Sequence, residues 1–118
     1  MRSNGLTYEI RMYGIDAPEY KQTGGKNALK CLIKLIKNKL VKVNKIDQDH
    51  YGRLIGKVFV GKNYINLEMV KRGQAHWYSK YAPKDKDLRD AELQARKHNL
   101  GLWSQRTVIV PSIWRKNH

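Results

Sequence analysis

A chain of 118 residues and 13.8 kDa can bury one core and is too short for two, so residues 1–118 are expected to form a single domain. Lys and Arg number 24 against 10 Asp and Glu, a formal charge of +14 with an isoelectric point near 10.0, which favours a polyanionic partner, nucleic acid ahead of an anionic membrane surface. The single cysteine, Cys31, excludes an internal disulfide and a cysteine-based zinc site, and no apolar run approaches the length of a membrane span, so no anchor is expected.

Residues 1–5 are short and polar, and Asn4-Gly5 is a hairpin-turn dipeptide with almost no strand ahead of it. No signal peptide is visible, and the closeness of Met1 to the first strand leads us to expect that the chain starts late. Leu6, Tyr8, Ile10 and Met12 alternate with Thr7, Glu9, Arg11 and Tyr13, which predicts a half-buried strand running up to Gly14 with Arg11 off its apolar face. Asp16-Ala17-Pro18 is expected to leave the strand ladder, because Pro18 has no N–H to donate. The segment then becomes a turn holding Asp16 and Glu19 on one side. Arg11 to Glu19, RMYGIDAPE, thus gathers an arginine and two carboxylates, either as a phosphate and divalent-cation site or as a surface turn with a solvated salt bridge.

A polar stretch with Gly24-Gly25 follows, and Ala28, Leu29, Leu32, Ile33 and Ile36 then recur at helical spacing up to Asn38. Cys31 falls within that pattern as a small core residue. Val41 and Val43 alternate with Lys42 and Asn44, predicting a strand over 40–46. Asp47 to Arg53 is a polar loop with Gly52, and it delivers Arg53 to a β-branched strand over 54–60 that turns at 61–63. A short helix over 66–72 stops at Gly73, and a second over 87–98 carries early acids, late bases and a stop at Gly101. Between them lies the aromatic-basic run 75–81, where Trp77 reads as core and Tyr81 as a residue reaching substrate. The tail, with Trp103, Trp114 and an apolar patch at 108–110, is expected to pack back on the domain over 104–118. Strands broken by helices, joined by antiparallel hairpins rather than repeated crossovers, favour a small α+β barrel over a doubly wound sheet.

Phosphodiester hydrolysis builds negative charge on the equatorial oxygens, and an arginine can grip two of them with its planar fork while staying protonated. Arg11 and Arg53, each beside a glycine-containing turn, suit that role. A carboxylate near Glu19 can take the proton of an attacking water, and oxygen ligands such as Asp16 point to Ca²⁺ or Mg²⁺ rather than zinc.

RMYGIDAPE, DHYGR, VFVGKNYINLEMVKRGQAHWY, KYAPKD, AELQAR and GLW, in this order and spacing, resemble the staphylococcal nuclease family over nearly the whole chain. The resemblance implies an OB-fold-like five-stranded β-barrel with three helices, and a Ca²⁺-dependent endonuclease that cleaves DNA and RNA to 3′-phosphate products. Carried over by motif, it places Arg11 and Arg53 on two catalytic arginines, Glu19 on the general base, and Asp16 on a calcium-ligating aspartate. Ala17, where the family has threonine, would ligate through its carbonyl. His50 and Tyr51 would approach the nucleotide phosphate, and Tyr81 would be one of two tyrosines at the base, with Ser79 where the other is expected.

The family's Asp-Gly-Asp-Thr motif, which carries the other calcium carboxylate, is missing ahead of Arg11, so an open sheet edge and a half-built metal site are expected. Asp47 and Asp49 are candidate substitute ligands, read chiefly as ordinary loop residues, and a partner strand or homodimer at the exposed edge is another repair. A secreted or cell-envelope location would follow from the family. The alternative class is a non-catalytic nucleic-acid-binding OB-like module, since a basic face binds phosphate without metal.

Overall fold

In the computed structural model, eight short strands, three α-helices and one 3₁₀ turn make up the described residues, which are 9–104 together with the backbone of 2–3 and 6–7. The expected strand over 6–12 is divided. β1 (Arg2–Ser3) pairs antiparallel with β2 (Leu6–Thr7), supplying the earlier strand that Asn4-Gly5 calls for, and β3 (Ile10–Met12) joins a different sheet. β4 is Ile15–Asp16, α1 Gly25–Ile36, β5 Lys42–Gln48, β6 Leu54–Val60 and β7 Asn63–Tyr64. α2 (Ile65–Lys71), β8 (His76–Trp77), α3 (Lys86–Lys97) and the 3₁₀ turn Gly101–Ser104 complete the chain. The expected tail packing over 104–118 lies, apart from Ser104, outside the described residues, as does Trp114.

The central sheet runs β3-β6-β5, with β7 hydrogen-bonded to β6 beyond that path. Hairpins join β5 to β6 and β6 to β7, as their turn residues predict. The β3–β6 pair is parallel, however, because α1 and β5 form a crossover between them, so the sheet is mixed rather than purely antiparallel. Asp16 also departs from expectation. It stays on a ladder, opposite His76 of β8, and only Ala17 and Pro18 leave it. The α+β class with three helices is as the sequence led us to expect. The described strands fall into three small sheets, and among the described residues no pairing closes them into a barrel and β5 pairs with β6 alone.

The core lies between α2, α3 and the inner face of β6, where Ile65, Met69, Val70 and Leu88 are fully buried. Cys31 packs against this core, and burial pushes its thiol pKa up, consistent with a packing role. Two buried polar residues tie the layers together. Asn66, in the first turn of α2, accepts from Val58 N (2.9 Å) and donates to Tyr13 O (2.9 Å) and Gly56 O (3.2 Å), so it pins helix, sheet and the turn after β3 at one point. Glu92 of α3 accepts from Trp77 N (3.1 Å) and lies 3.6 Å from His76 Nδ1 and 3.5 Å from Arg96 Nη2, anchoring β8 and through it the β4 strand that carries Asp16.

Helix limits follow the caps. α3 starts one residue before the predicted Asp87 because Asp85 is the N-cap, its carboxylate accepting from Leu88 N at 3.1 Å. It ends through Asn99 in the left-handed conformation (φ +54°), ahead of Gly101. None of the helices is long and apolar enough to cross a membrane.

Candidate active site

Arg11 projects from β3, and Arg53 ends the loop that leads into the neighbouring strand β6. Arg11 pairs with Ile55 in the parallel ladder, and the ladder reaches back one step through Leu54 N donating to Glu9 O (3.1 Å). Arg53 is two residues before Ile55, at the end of the loop that leads into β6, so strand rise and spacing put the two Cα atoms roughly 8 Å apart. That is a separation a single phosphate can bridge with two long side chains.

Each guanidinium is held by its surroundings. The Arg11 Cζ lies 5.5 Å from the Tyr78 ring centroid and 5.9 Å from that of Tyr81, and the two rings are 4.8 Å apart. Tyr78 therefore stands beside Tyr81, where the family resemblance led us to expect Ser79. The chain after Tyr78 turns, with Tyr81 N (3.2 Å) and Ala82 N (3.0 Å) both donating to Tyr78 O, and a turn brings residues i and i+3 together, not i and i+2. The Tyr-x-x-Tyr spacing was the available signal. Trp77, read as core, is so, with Nε1 donating to Ala82 O at 2.8 Å.

Arg53 is held by Asp49. One carboxylate oxygen accepts from Arg53 Nε at 2.8 Å, and the other accepts from the backbone N–H groups of Arg53 (2.9 Å) and Tyr51 (3.0 Å). Asp49 N returns a bond to Arg53 O (3.0 Å) and Gly52 N donates to Asp49 O (3.0 Å), closing the loop. Partial desolvation pushes the Asp49 carboxyl upward, but these donors outweigh it and hold the pKa below its usual range. Both oxygens of Asp49 are thus engaged in holding the arginine and its loop. Asp47 is exposed and accepts from Gln48 N (2.8 Å). Since Nε is used by Asp49, the two terminal nitrogens of Arg53 are the donors available to a ligand. Tyr51, 78% exposed, lies under the same guanidinium at 5.7 Å and beside His50, ring centroids 4.8 Å apart.

On the RMYGIDAPE segment the carboxylates are placed differently from one another. Asp16 is only 5% exposed at the end of β4, whereas Glu19 is exposed, so the segment is more than a solvated turn. The path between Arg11 and Asp16 depends on Gly14, whose φ of +74° and close approach to Leu88 Cδ1 leave no room for a side chain. Its carbonyl accepts from Tyr78 N (2.8 Å), bringing the tyrosine pair to the arginine. The Glu19 backbone is fixed from both sides: Glu19 N donates to Gln22 Oε1 (3.3 Å), Glu19 O accepts from Gln22 N (2.9 Å), and a Cβ on Gly25 would run into the Glu19 carbonyl.

The Asp16 carboxylate and the Ala17 carbonyl are hard oxygen donors, which fit a Ca²⁺ or Mg²⁺ ion in kind. No group of three or more metal-ligating side chains occurs among the described residues.

Comparison with known proteins bears on this arrangement. A family model described as staphylococcal nuclease homologue matches residues 9–105. The probable staphylococcal-like nuclease CAN2 of Oryza sativa subsp. japonica is 39% identical over 110 residues, which is 93% of this chain and 30% of the rice protein. Two bacterial proteins named as uncharacterized endonucleases are similar: that of Haemophilus influenzae is 37% identical over 92% of this chain and 60% of its own length, and that of Escherichia coli O157:H7 is 38% identical over 90% and 69%. The chain thus spans about a third of the plant relative it matches.

Proposed function

The chain belongs to the staphylococcal nuclease family, and from that premise we propose that it hydrolyses phosphodiester bonds of DNA and RNA, with Arg11, Arg53 and Glu19 as its catalytic residues. The observation that carries this reading is that Arg11 and Arg53 come from adjacent segments of the β3–β6 pair, one held by a tyrosine pair and the other by a carboxylate on its Nε edge.

The two guanidiniums bind the non-bridging oxygens and stabilise the charge that grows on them in the transition state. Glu19 accepts a proton from water as its oxygen forms a bond to phosphorus. The bond from phosphorus to the 5′-oxygen breaks, that oxygen leaves with the electron pair and takes up a proton, and the phosphate stays on the 3′ side. Tyr81 and Tyr78 stack the adjoining base, while His50 and Tyr51 flank the phosphate. Asp16 and the Ala17 carbonyl would hold a calcium ion, which when bound polarises a phosphoryl oxygen.

Cleavage of single-stranded DNA, duplex DNA and RNA should be measured with Ca²⁺ and with chelator, beside an Arg11→Ala/Arg53→Ala control. Calcium-dependent cleavage that disappears in the control is the expected result. The small donor set around Asp16 favours one other reading, a nucleic-acid-binding module without catalysis. Salt-sensitive binding with no cleavage under any metal would establish it.

A further inference from the structure

Beyond the two arginines, the strand that carries Arg11 leads to a second concavity. Tyr13 N donates to Gly56 O (2.8 Å), so the ladder of β3 runs one residue past its end and Tyr13 leaves on the same side as Arg11. There it lines a cleft of about 500 Å³ together with Tyr81, Pro83, Lys84, Asp85 and Lys86. The cleft is shallow and largely open to solvent, a shape that suits one flat face laid against its wall. Tyr81 is shared: it contacts Arg11 and Tyr78 and also forms a wall of the cleft. Lys57 Nζ stands 5.5 Å from the Tyr13 ring centroid, placing a cation beside the aromatic surface.

The charges of the cleft say what it would take. Lys84 and Lys86 are offset by Asp85 and by Asp87 at its edge, and Asp85 is already engaged as the cap of α3. A phosphate gains little in such balanced surroundings, whereas the flat face of an unpaired base gains from tyrosine rings. We infer that this cleft is a second base subsite, in which Tyr13 and Tyr81 receive the nucleotide next to the one stacked at Tyr78, while Lys57, outside the balanced set, meets the connecting phosphate. The inference rests on the nucleic-acid reading above and adds to it a second base position at Tyr13, so that two successive unpaired bases are held where the reading above has one.

The test uses the full chain and single-stranded DNA hexanucleotides in which each base in turn is replaced by an abasic site, with affinity read by fluorescence anisotropy. Two sensitive positions are expected, and at one of them the abasic site weakens binding about tenfold in the unaltered protein and leaves Tyr13→Ala unaffected. Tyr13→Phe keeps the sensitivity, and Lys57→Gln weakens the hexanucleotide more than a mononucleotide. Abasic and Tyr13→Ala losses that simply add would overturn the subsite while leaving the arginine site intact. If the unaltered chain binds no oligonucleotide, or if Arg11→Ala/Arg53→Ala binds all of them equally well, the underlying reading falls and the subsite with it.

Discussion

Arg53 is the residue whose geometry constrains function most tightly. Asp49 occupies its Nε, so the terminal nitrogens are the donors left for a ligand. Lysine offers a point charge that can meet neither that anchor nor two phosphate oxygens together, and Arg53→Lys is expected to lower kcat about a hundredfold or more, measured by steady-state cleavage. Glu19→Gln should slow cleavage by about 10²–10⁴ and change the Kd for oligonucleotide far less, since the proton is taken only in the transition state. Equal losses in both would remove Glu19 from the mechanism. Asp49 adds a pH signature. Its pKa is lower in the folded than in the unfolded chain, so its stabilisation is complete above the ordinary carboxylate value, roughly pH 4, and is lost as pH falls through the lower folded value. Asp49→Asn should therefore destabilise the protein at neutral pH and converge with it in strong acid, a comparison that urea unfolding at several pH values would make. Asp49 was legible in the sequence only as a loop acid four residues before Arg53. Its bidentate grip depends on a loop closure that no pattern of residue types specifies.

Among the elements, α2 is the one on which the site leans. Sequence placed Asn66 at its start, as a helix beginner; in the fold it lies inside the first turn, wholly buried, and its amide joins β6 to the turn after Arg11. Asn66→Ala would leave Val58 N–H and two carbonyls without that partner, costing about 3 kcal/mol. The expected reading is a lower urea midpoint with an unchanged m-value. Strand β6 was readable to the residue because its run of β-branched side chains is bounded by two glycine turns. The division of residues 6–12 was not readable, since alternation looks the same whether one strand or two carries it.

Over the whole molecule the charge of +14 is spread well beyond the site. Lys34, Lys37, Lys39 and Lys42 are all exposed, and none belongs to the site described above. Charges so placed steer a polyanion without touching it, and replacing all four with glutamine should slow oligonucleotide association several-fold at low salt, leave kcat unchanged, and have no effect once salt screens them. Stopped-flow association rates at two ionic strengths would decide this. From sequence alone came the α+β class, the three helices, the family and the pairing of an Arg11 segment with an Arg53 loop, because hydrophobic period, turn residues and motif order are local properties written along the chain. Which tyrosine stands beside Arg11, what holds Arg53, and that Asp16 stays on a ladder opposite His76 were decided only by tertiary structure. Each of these depends on residues tens of positions apart, or on the closure of a single turn, and a one-dimensional pattern does not encode the distances between them.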